Sequence, residues 1–328
     1  MPRIAVMGAG AWGRHLVRNF SNLGVLDGVC DKSLDRLDEV RSQYPHIRTT
    51  HDADEVFADS SLHAVVIATP AETHADLARR AIEAGKDVFV EKPLCLSLAR
   101  AHSLVELAQT KKRILMVGHL LWYHPAILAL DDLVRNGSLG RIRYVYSNRL
   151  NLGRVRREEN ILWSFAPHDI SVILGLAQEM PSEVVARGGS YLQKQIADVT
   201  VSMLSFDSGI RAHIFVSWLH PFKEQKLVVV GDRQMAVFDD MEAHNKLVLY
   251  PHTIDVRHDR PLTIKAAGIP VSTASDEPLR AECQHFMDCV TNRSTPRTDG
   301  HEAIRVLTVL QRCEESLRSC LTDGLCTR

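Results

Sequence analysis

Six residues near the start of the chain, Gly8-Ala9-Gly10-Ala11-Trp12-Gly13, have the spacing of a phosphate cradle. They follow an apolar run that reads as a strand and precede a run that reads as a helix, which is the context GxGxxG needs. Gly8 permits the tight turn, Gly10 lets backbone N–H groups near Ala11 and Trp12 approach a pyrophosphate at the helix N-terminus, and Gly13 allows close helix-to-strand packing. The second strand ends at Cys30-Asp31, where an acid hydrogen-bonds both ribose hydroxyls of NAD and repels the extra phosphate of NADP. Asp31 serves equally to cap the helix beginning near Ser33, and the neighbouring Lys32 is a cation that tolerates a phosphate. Thr69 and Pro70, with His74 a turn later, and Glu91 and Lys92 stand at the carboxyl ends of the fourth and fifth strands, the side on which such sheets hold their cofactor. A lysine there can be desolvated and can orient a hydroxyl beside the cofactor. Finally, Arg149, Arg154, Arg156 and Arg157 crowd into nine residues. Guanidinium groups clamp phosphate or carboxylate bidentately, so the cluster reads either as an anion site or as a solvated loop paired with Glu158 and Glu159.

These residues need a scaffold, and the pattern of the chain supplies one. Short apolar runs at Ile4–Gly8, Val25–Cys30, Ile47–Thr50, Ala64–Ala68, Val88–Val90 and Ile114–Val117 alternate with helical stretches at Ser33–Gln43, His74–Ala84 and Leu98–Gln109. That alternation predicts a doubly wound parallel sheet, a Rossmann domain over residues 1–120. Beyond it a helix at Pro125–Arg135, a strand at Arg141–Asn148 and a helix at His168–Leu176 lead into six strand-like runs: Glu183–Leu192, Asp198–Phe206, Arg211–Leu219, Lys226–Gly231, Met235–Phe238 and Lys246–Tyr250. Strands without intervening helices predict antiparallel pairing. The fold class is therefore α/β, with a C-terminal α+β domain over residues 121–328 holding a large, mostly antiparallel open sheet. Residues 257–276 read as loop, and closing helices at Glu277–Val290 and His301–Ser319 can pack back on the first domain.

The motifs GAGAWG, Thr69-Pro70-Ala71-Glu72-Thr73-His74, Glu91-Lys92-Pro93 and Val117-Gly118-His119-Leu120-Leu121-Trp122-Tyr123-His124-Pro125 together resemble the glucose-fructose oxidoreductase, inositol dehydrogenase and rhizopine-catabolism (Gfo/Idh/MocA) family over nearly the whole chain. The resemblance implies NAD as cofactor, a lysine at Lys92 that touches both the substrate hydroxyl and the nicotinamide ribose, and a cis bond before Pro93. The family's second signature sets an aspartate four residues before a histidine. Here Ser164 holds the aspartate position and His168 matches the histidine. Removing a hydride from a secondary alcohol requires a proton acceptor, and an imidazole suits that task at neutral pH. Lys92 and His168 are thus the expected catalytic pair, and Asp169 or a substrate group is left to supply the charge that Ser164 lacks. The stretch from Asn148 to His168, with Trp218-Leu219-His220-Pro221, is similar to the branch that oxidises UDP-linked amino sugars at C3. That branch implies a UDP-sugar substrate, UDP-N-acetylglucosamine or its uronate, and a downstream PLP aminotransferase serving lipopolysaccharide and lipid A synthesis; close relatives run in reverse as 3-ketosugar reductases. Tyr123, His124, Asn151 and Trp163 are further candidates for the sugar pocket.

A charge of -1 and 45% hydrophobic residues argue against a nucleic-acid surface. No apolar run reaches membrane-spanning length, no leader precedes the first strand, and seven scattered cysteines show no pairing pattern, so a cytoplasmic protein with reduced thiols is expected. No metal-ligand spacing occurs among the sixteen histidines. The broad sheet needs its outer face covered. Val199, Val201 and Met203, with Ile214, Val216 and Trp218, are the candidates for burial in a homodimer or homotetramer, the assemblies the family implies. The competing class of function is a non-catalytic NAD-binding sensor, from which Lys92 and His168 are the discriminating residues.

Overall fold

The computed structural model describes residues 2–153, 155–157, 159–255 and 262–322. The chain divides into two compact units, Met1–Tyr123 with Asp276–Ile304, and His124–Ser275 with Arg305–Arg328.

The first unit opens with β1 (Ile4–Met7), α1 (Gly13–Asn22), β2 (Leu26–Cys30), α2 (Leu34–Gln43), β3 (Arg48–Thr50) and α3 (Ala53–Ala58). It continues with β4 (Ala64–Ile67), α4 (Ala71–Glu83), β5 (Asp87–Glu91), α5 (Leu98–Thr110), β6 (Leu115–Gly118) and a 3-10 turn at Leu120–Tyr123. The six strands lie in the order β3-β2-β1-β4-β5-β6, all parallel. Every residue of β1, β4 and β6 is buried, as expected of strands covered on both faces. Strand order reverses between β1 and β4, which makes the carboxyl ends of these two strands the cofactor crevice of such a sheet.

The second unit is built on α6 (Pro125–Arg135), β7 (Ile142–Leu150), α7 (Ile161–Ala177), β8 (Glu183–Gly189), β9 (Val199–Ser205) and β10 (Arg211–Ser217). Then come β11 (Glu224–Gly231), β12 (Met235–Asp239), β13 (Leu247–Tyr250), β14 (Thr253–Asp255), β15 (Leu262–Ile264) and β16 (Ile269–Pro270). Helix α8 (Pro278–Asn292) belongs to the first unit, and the chain re-enters the second within α9 (Gly300–Thr322). Eight strands pair in the order β16-β13-β12-β11-β7-β10-β9-β8, antiparallel throughout except for β7 with β10. Helix α7 packs on β7, β9 and β10.

Four expectations are corrected. Helix α7 starts at Ile161, with the Asn160 side chain accepting from the Trp163 N–H at 3.2 Å, so Pro167 and His168 lie inside the helix. Pro167 removes only one ladder bond, and seventeen residues of helix cooperate around that gap. Ile214, Val216 and Trp218 face the core, 1%, 0% and 0% exposed, because Ile214 lies opposite Ser202 and Val216 opposite Thr200 on the inward side. The exposed side carries Val201 and Met203 of β9, beside Phe215 and His213 of β10. Within 257–276, residues 262–264 and 269–270 are strand, paired with β14 and β13, whereas 257–261 lie outside the described residues. Strand β7 runs on to Leu150, which puts Arg149 in the sheet rather than in a loop.

Candidate functional site

The glycine loop has the geometry of a cradle. Gly8 has φ +95°, and a Cβ built on it would lie 2.6 Å from the Ala68 carbonyl oxygen. A Cβ on Gly13 would lie 1.8 Å from the Gly8 oxygen, so helix α1 can close on β1 only with hydrogen there. At Gly10 the nearest group is the tip of the Arg36 side chain at 3.6 Å, leaving the backbone open to a ligand. Helix α1 has no side-chain cap and no acid in its first turn, which keeps its positive end free of a competing carboxylate for an anion. Asp31, 7% exposed, accepts from the Ala9 N–H at 2.7 Å and the Ser33 N–H at 2.8 Å, with the Arg36 guanidinium at 3.5 Å. The helix cap itself is Ser33, which accepts from the Arg36 N–H. Asp31 therefore ties the loop to the end of β2, and a carboxylate with about four lone-pair positions keeps capacity for ribose hydroxyls. NAD fits this set of groups. Gly13→Ala is expected to raise the NAD dissociation constant by at least about tenfold in calorimetry, since the loop must move to admit the methyl; an unchanged constant would count against the cradle.

At the other strand ends, Pro70 is exposed at the start of α4, and the Thr69 hydroxyl bonds that of Thr73 at 2.7 Å. His74, expected beside the cofactor, is engaged by the protein's own backbone. It is 1% exposed, with Nδ1 on the Pro93 carbonyl at 2.7 Å and Nε2 on the Thr69 carbonyl at 2.8 Å. Burial pushes its imidazole below the ordinary value against the pull of those two carbonyls. Its place is that of a latch between the ends of β4 and β5. The Lys92–Pro93 bond is cis, and Lys92, half-buried, stands one residue beyond β5. Glu91 accepts from the Trp12 indole N–H at 2.5 Å and would lie 2.9 Å from a Cβ on Gly118, its partner across β6.

In the second unit His168 is half-buried on α7, one turn after the buried Ser164. Arg149 is not available as a substrate clamp. Its guanidinium, on a side chain 13% exposed, holds the Asp169 carboxylate at 2.8 and 3.1 Å, and Ser147 donates to the same carboxylate at 2.7 Å. Burial pulls the guanidinium down, but the charge and bonds of Asp169 outweigh it and leave Arg149 above its ordinary value. This ion pair between β7 and α7 fixes the helix turn that carries His168. Arg156 is exposed and pairs with Glu159 at 2.8 Å; Arg157 is exposed; Arg154 lies outside the described residues. Asn151 follows β7, its N–H on the Ser217 carbonyl at 3.1 Å. The Trp163 indole donates to Glu314 at 3.1 Å, and Asn160 donates to the same oxygen at 2.8 Å. Two sugar-pocket candidates make their contacts within the protein. Tyr123 is 3% exposed, its hydroxyl 2.9 Å from that of Thr298, and His124 is 8% exposed, accepting from the Ala126 N–H to cap α6 and packing edge-on against Phe238.

Two residues escaped the sequence reading. Arg36 reaches back over Gly10, and nothing in its spacing announces that. Glu282 is 0% exposed on α8. The signal for it was present: an acid inside the apolar stripe Leu279, Cys283, Phe286, Met287, Val290.

A six-stranded 3-2-1-4-5-6 sheet with a glycine cradle at its switch point, followed by a large open sheet, defines an NAD-dependent oxidoreductase of the two-unit Rossmann type. The chain belongs to the Gfo/Idh/MocA oxidoreductase family: residues 2–119 match its NAD-binding Rossmann fold and residues 127–237 its C-terminal domain. It is 27% identical to the UDP-N-acetylglucosamine 3-dehydrogenase of Acidithiobacillus ferrooxidans, over 93% of this chain and 94% of that protein. The solved structure of that enzyme superposes with a TM-score of 0.86 at 25% identity, covering 97% of this chain and 98% of the other. The NAD-dependent scyllo-inositol 2-dehydrogenase of Bacillus subtilis is 25% identical over 90% of this chain and 87% of its own. A levoglucosan dehydrogenase solved with NADH and levoglucosan shares the fold, with a TM-score of 0.83 at 17% identity and 97% coverage of both chains.

Proposed function

We propose that this enzyme oxidises the C3 hydroxyl of a UDP-linked amino sugar, UDP-N-acetylglucosamine, to the 3-keto sugar. The end-to-end likeness to a UDP-N-acetylglucosamine 3-dehydrogenase is the observation that carries this reading. NAD, when bound, accepts the hydride from C3. Lys92 binds and orients the hydroxyl and stabilises its developing negative charge. His168 accepts the hydroxyl proton, so that one sugar and one NAD yield one ketone, one NADH and one proton. Ser164 stands one turn before His168, and Asp169, committed to Arg149 and Ser147, steadies the helix rather than relaying the proton.

The exposed arginines of the 151–160 segment suit the diphosphate. The likeness to the enzyme of UDP-N-acetylglucosamine favours the neutral sugar over its uronate. The ketone is then a substrate for a PLP aminotransferase, giving a 3-amino sugar for lipid A. A cytoplasmic setting fits Cys30, Cys95, Cys283, Cys289 and Cys313, all buried and unbridged, and among the described residues no helix is long and apolar enough to cross a membrane. Val201, Met203, His213 and Phe215 lie on the face we assign to contact with further copies of the chain.

The test is incubation with NAD and UDP-N-acetylglucosamine, in parallel with the uronate, trapping any ketone as its oxime for mass spectrometry. Trapping is needed because alcohol oxidation by NAD lies to the left near neutral pH. Oxime from UDP-N-acetylglucosamine, reduced at least about a hundredfold in rate by His168→Ala, is the expected result. No oxime from either sugar, in protein shown to bind NAD, overturns the reading.

A further inference from the structure

We propose that Glu91 and Glu282 form an inward-facing carboxyl pair through which proton uptake resets the glycine loop, with Glu91 as the positioning residue for Trp12. The placement follows from packing. Helix α8 sets Phe286 against Phe89 of β5 at 5.6 Å and against Phe20 of α1 at 6.5 Å. Glu282 lies one turn before Phe286, and Glu91 two residues after Phe89, so both belong to the side of β5 that α8 covers. Glu282 is fully buried, and neither of its oxygens has a hydrogen-bond partner among the described residues. A lone carboxylate does not persist in such a place; the group keeps its proton. Glu91, in contrast, has the Trp12 indole as donor and a wall at Gly118 that only glycine provides.

Burial pushes Glu282 well above the usual carboxylate range, and the charge of Glu91 pushes it further. Burial also raises Glu91, to about 7, against the lowering influence of the Trp12 bond, Lys92 and His119. The other ionisable groups around the pair are Tyr123 on the 3-10 turn, Cys283 on α8, Glu302, which bonds His119 at 2.5 Å, and Glu277 with Arg18 farther along α8 and α1. Above neutrality Glu91 is a carboxylate and the Trp12 bond is charge-assisted, roughly twice as strong as a neutral one. Below it the bond weakens and Trp12 is released. Because Trp12 belongs to the glycine loop, its setting is the setting of the pyrophosphate cradle, and a loop already in place binds more tightly. The inference rests on the NAD site alone, so it stands or falls apart from the identity of the sugar.

The test uses ligand-free protein and NAD. Trp12 fluorescence, taken as the difference between the parent and Trp12→Phe, and the NAD dissociation constant are followed from about pH 5.5 to about pH 8.5. The parent signal is expected to titrate near 7, and the constant to tighten on the order of fivefold toward high pH. Glu91→Gln should flatten both, and Trp12→Phe should flatten the second. His15, edge-on to Trp12 at 5.8 Å, is the other ionisable group against that ring, and Glu91→Gln leaves it in place. If Glu91→Gln titrates like the parent, or if Trp12→Phe keeps the pH dependence of NAD binding, the proposal is wrong.

Glu282→Gln provides an independent arm. A carboxyl whose folded-state value is raised gives stability that is complete below its unfolded value and is lost as pH rises toward the folded one. Glutamine has no such loss. The melting temperature of Glu282→Gln relative to the parent should therefore climb steadily between about pH 5 and about pH 8. A difference that stays constant with pH would show Glu282 to be a merely structural residue.

Discussion

Lys92→Met is expected to slow ketone formation by roughly 10³-fold while raising the NAD dissociation constant only about tenfold, the share of the single bond to the nicotinamide ribose that the resemblance implies. The separation of the two effects follows from where the side chain stands. The cradle that holds the pyrophosphate is made by Gly8, Gly10 and Gly13 on the β1 side of the sheet, and Asp31 anchors it from β2. Lys92 lies two strands away, one residue past β5, with His74 tying the next residue, Pro93, to Thr69 just beyond β4. Methionine keeps the length of the stem and removes only the charge, so the strand end should hold its form. The measurement is single-turnover oxime trapping on the sugar that the parent oxidises, beside calorimetry with NAD. Retention of turnover within about tenfold of the parent would remove Lys92 from the chemistry.

The largest loss of stability is expected from Asp169→Ala. Its carboxylate, 2% exposed, receives two bonds from Arg149 and one from Ser147. Cutting it back to a methyl leaves a guanidinium buried without its counter-charge, which costs about 3–5 kcal/mol. For units of this size that corresponds to a fall in melting temperature on the order of 10 °C. Arg149→Met combined with Asp169→Ala should recover most of the loss, because the charge that had lost its partner is gone as well. The double variant separates this account from a simple cavity effect, which would make the pair worse than the single change. Recovery would show that Arg149 and Asp169 act as one pair in holding α7.

That pairing shows how far a pattern can be read. Asp169 lies twenty or more residues from Ser147 and Arg149, and the crowding of four arginines pointed to an anion site. The structure gives one of them a different occupation, because β7 continues through Leu150 and turns the Arg149 side chain toward α7. Tyr123 and His124 read from sequence as pocket candidates, and the structure gives each a partner within the protein. Both are polar aromatics beside a strand end, and whether such a ring faces a ligand or a core is decided by the elements that close over it: Thr298 for one, Phe238 for the other. The start of α7 was misplaced since proline marks helix starts more often than interiors, and only the Asn160 cap reveals the true beginning.

What the sequence determined by itself was whatever depends on local order and short spacing. The alternation of apolar runs with helical periods specified the parallel sheet, the strand-to-helix setting of GxGxxG specified the cradle, and the acid at Asp31 and the lysine at Lys92 were legible because strand ends in such a sheet have one possible direction. What only the tertiary structure decided was the pairing of groups remote along the chain. Asp31 meets Ala9, Trp12 meets Glu91, and Glu282 comes to β5 from a helix nearly two hundred residues later. The physical reason is that a charge or hydrogen bond acts through space over a few ångströms, and a linear pattern records which residues are polar but not which polar residues the fold will leave facing one another.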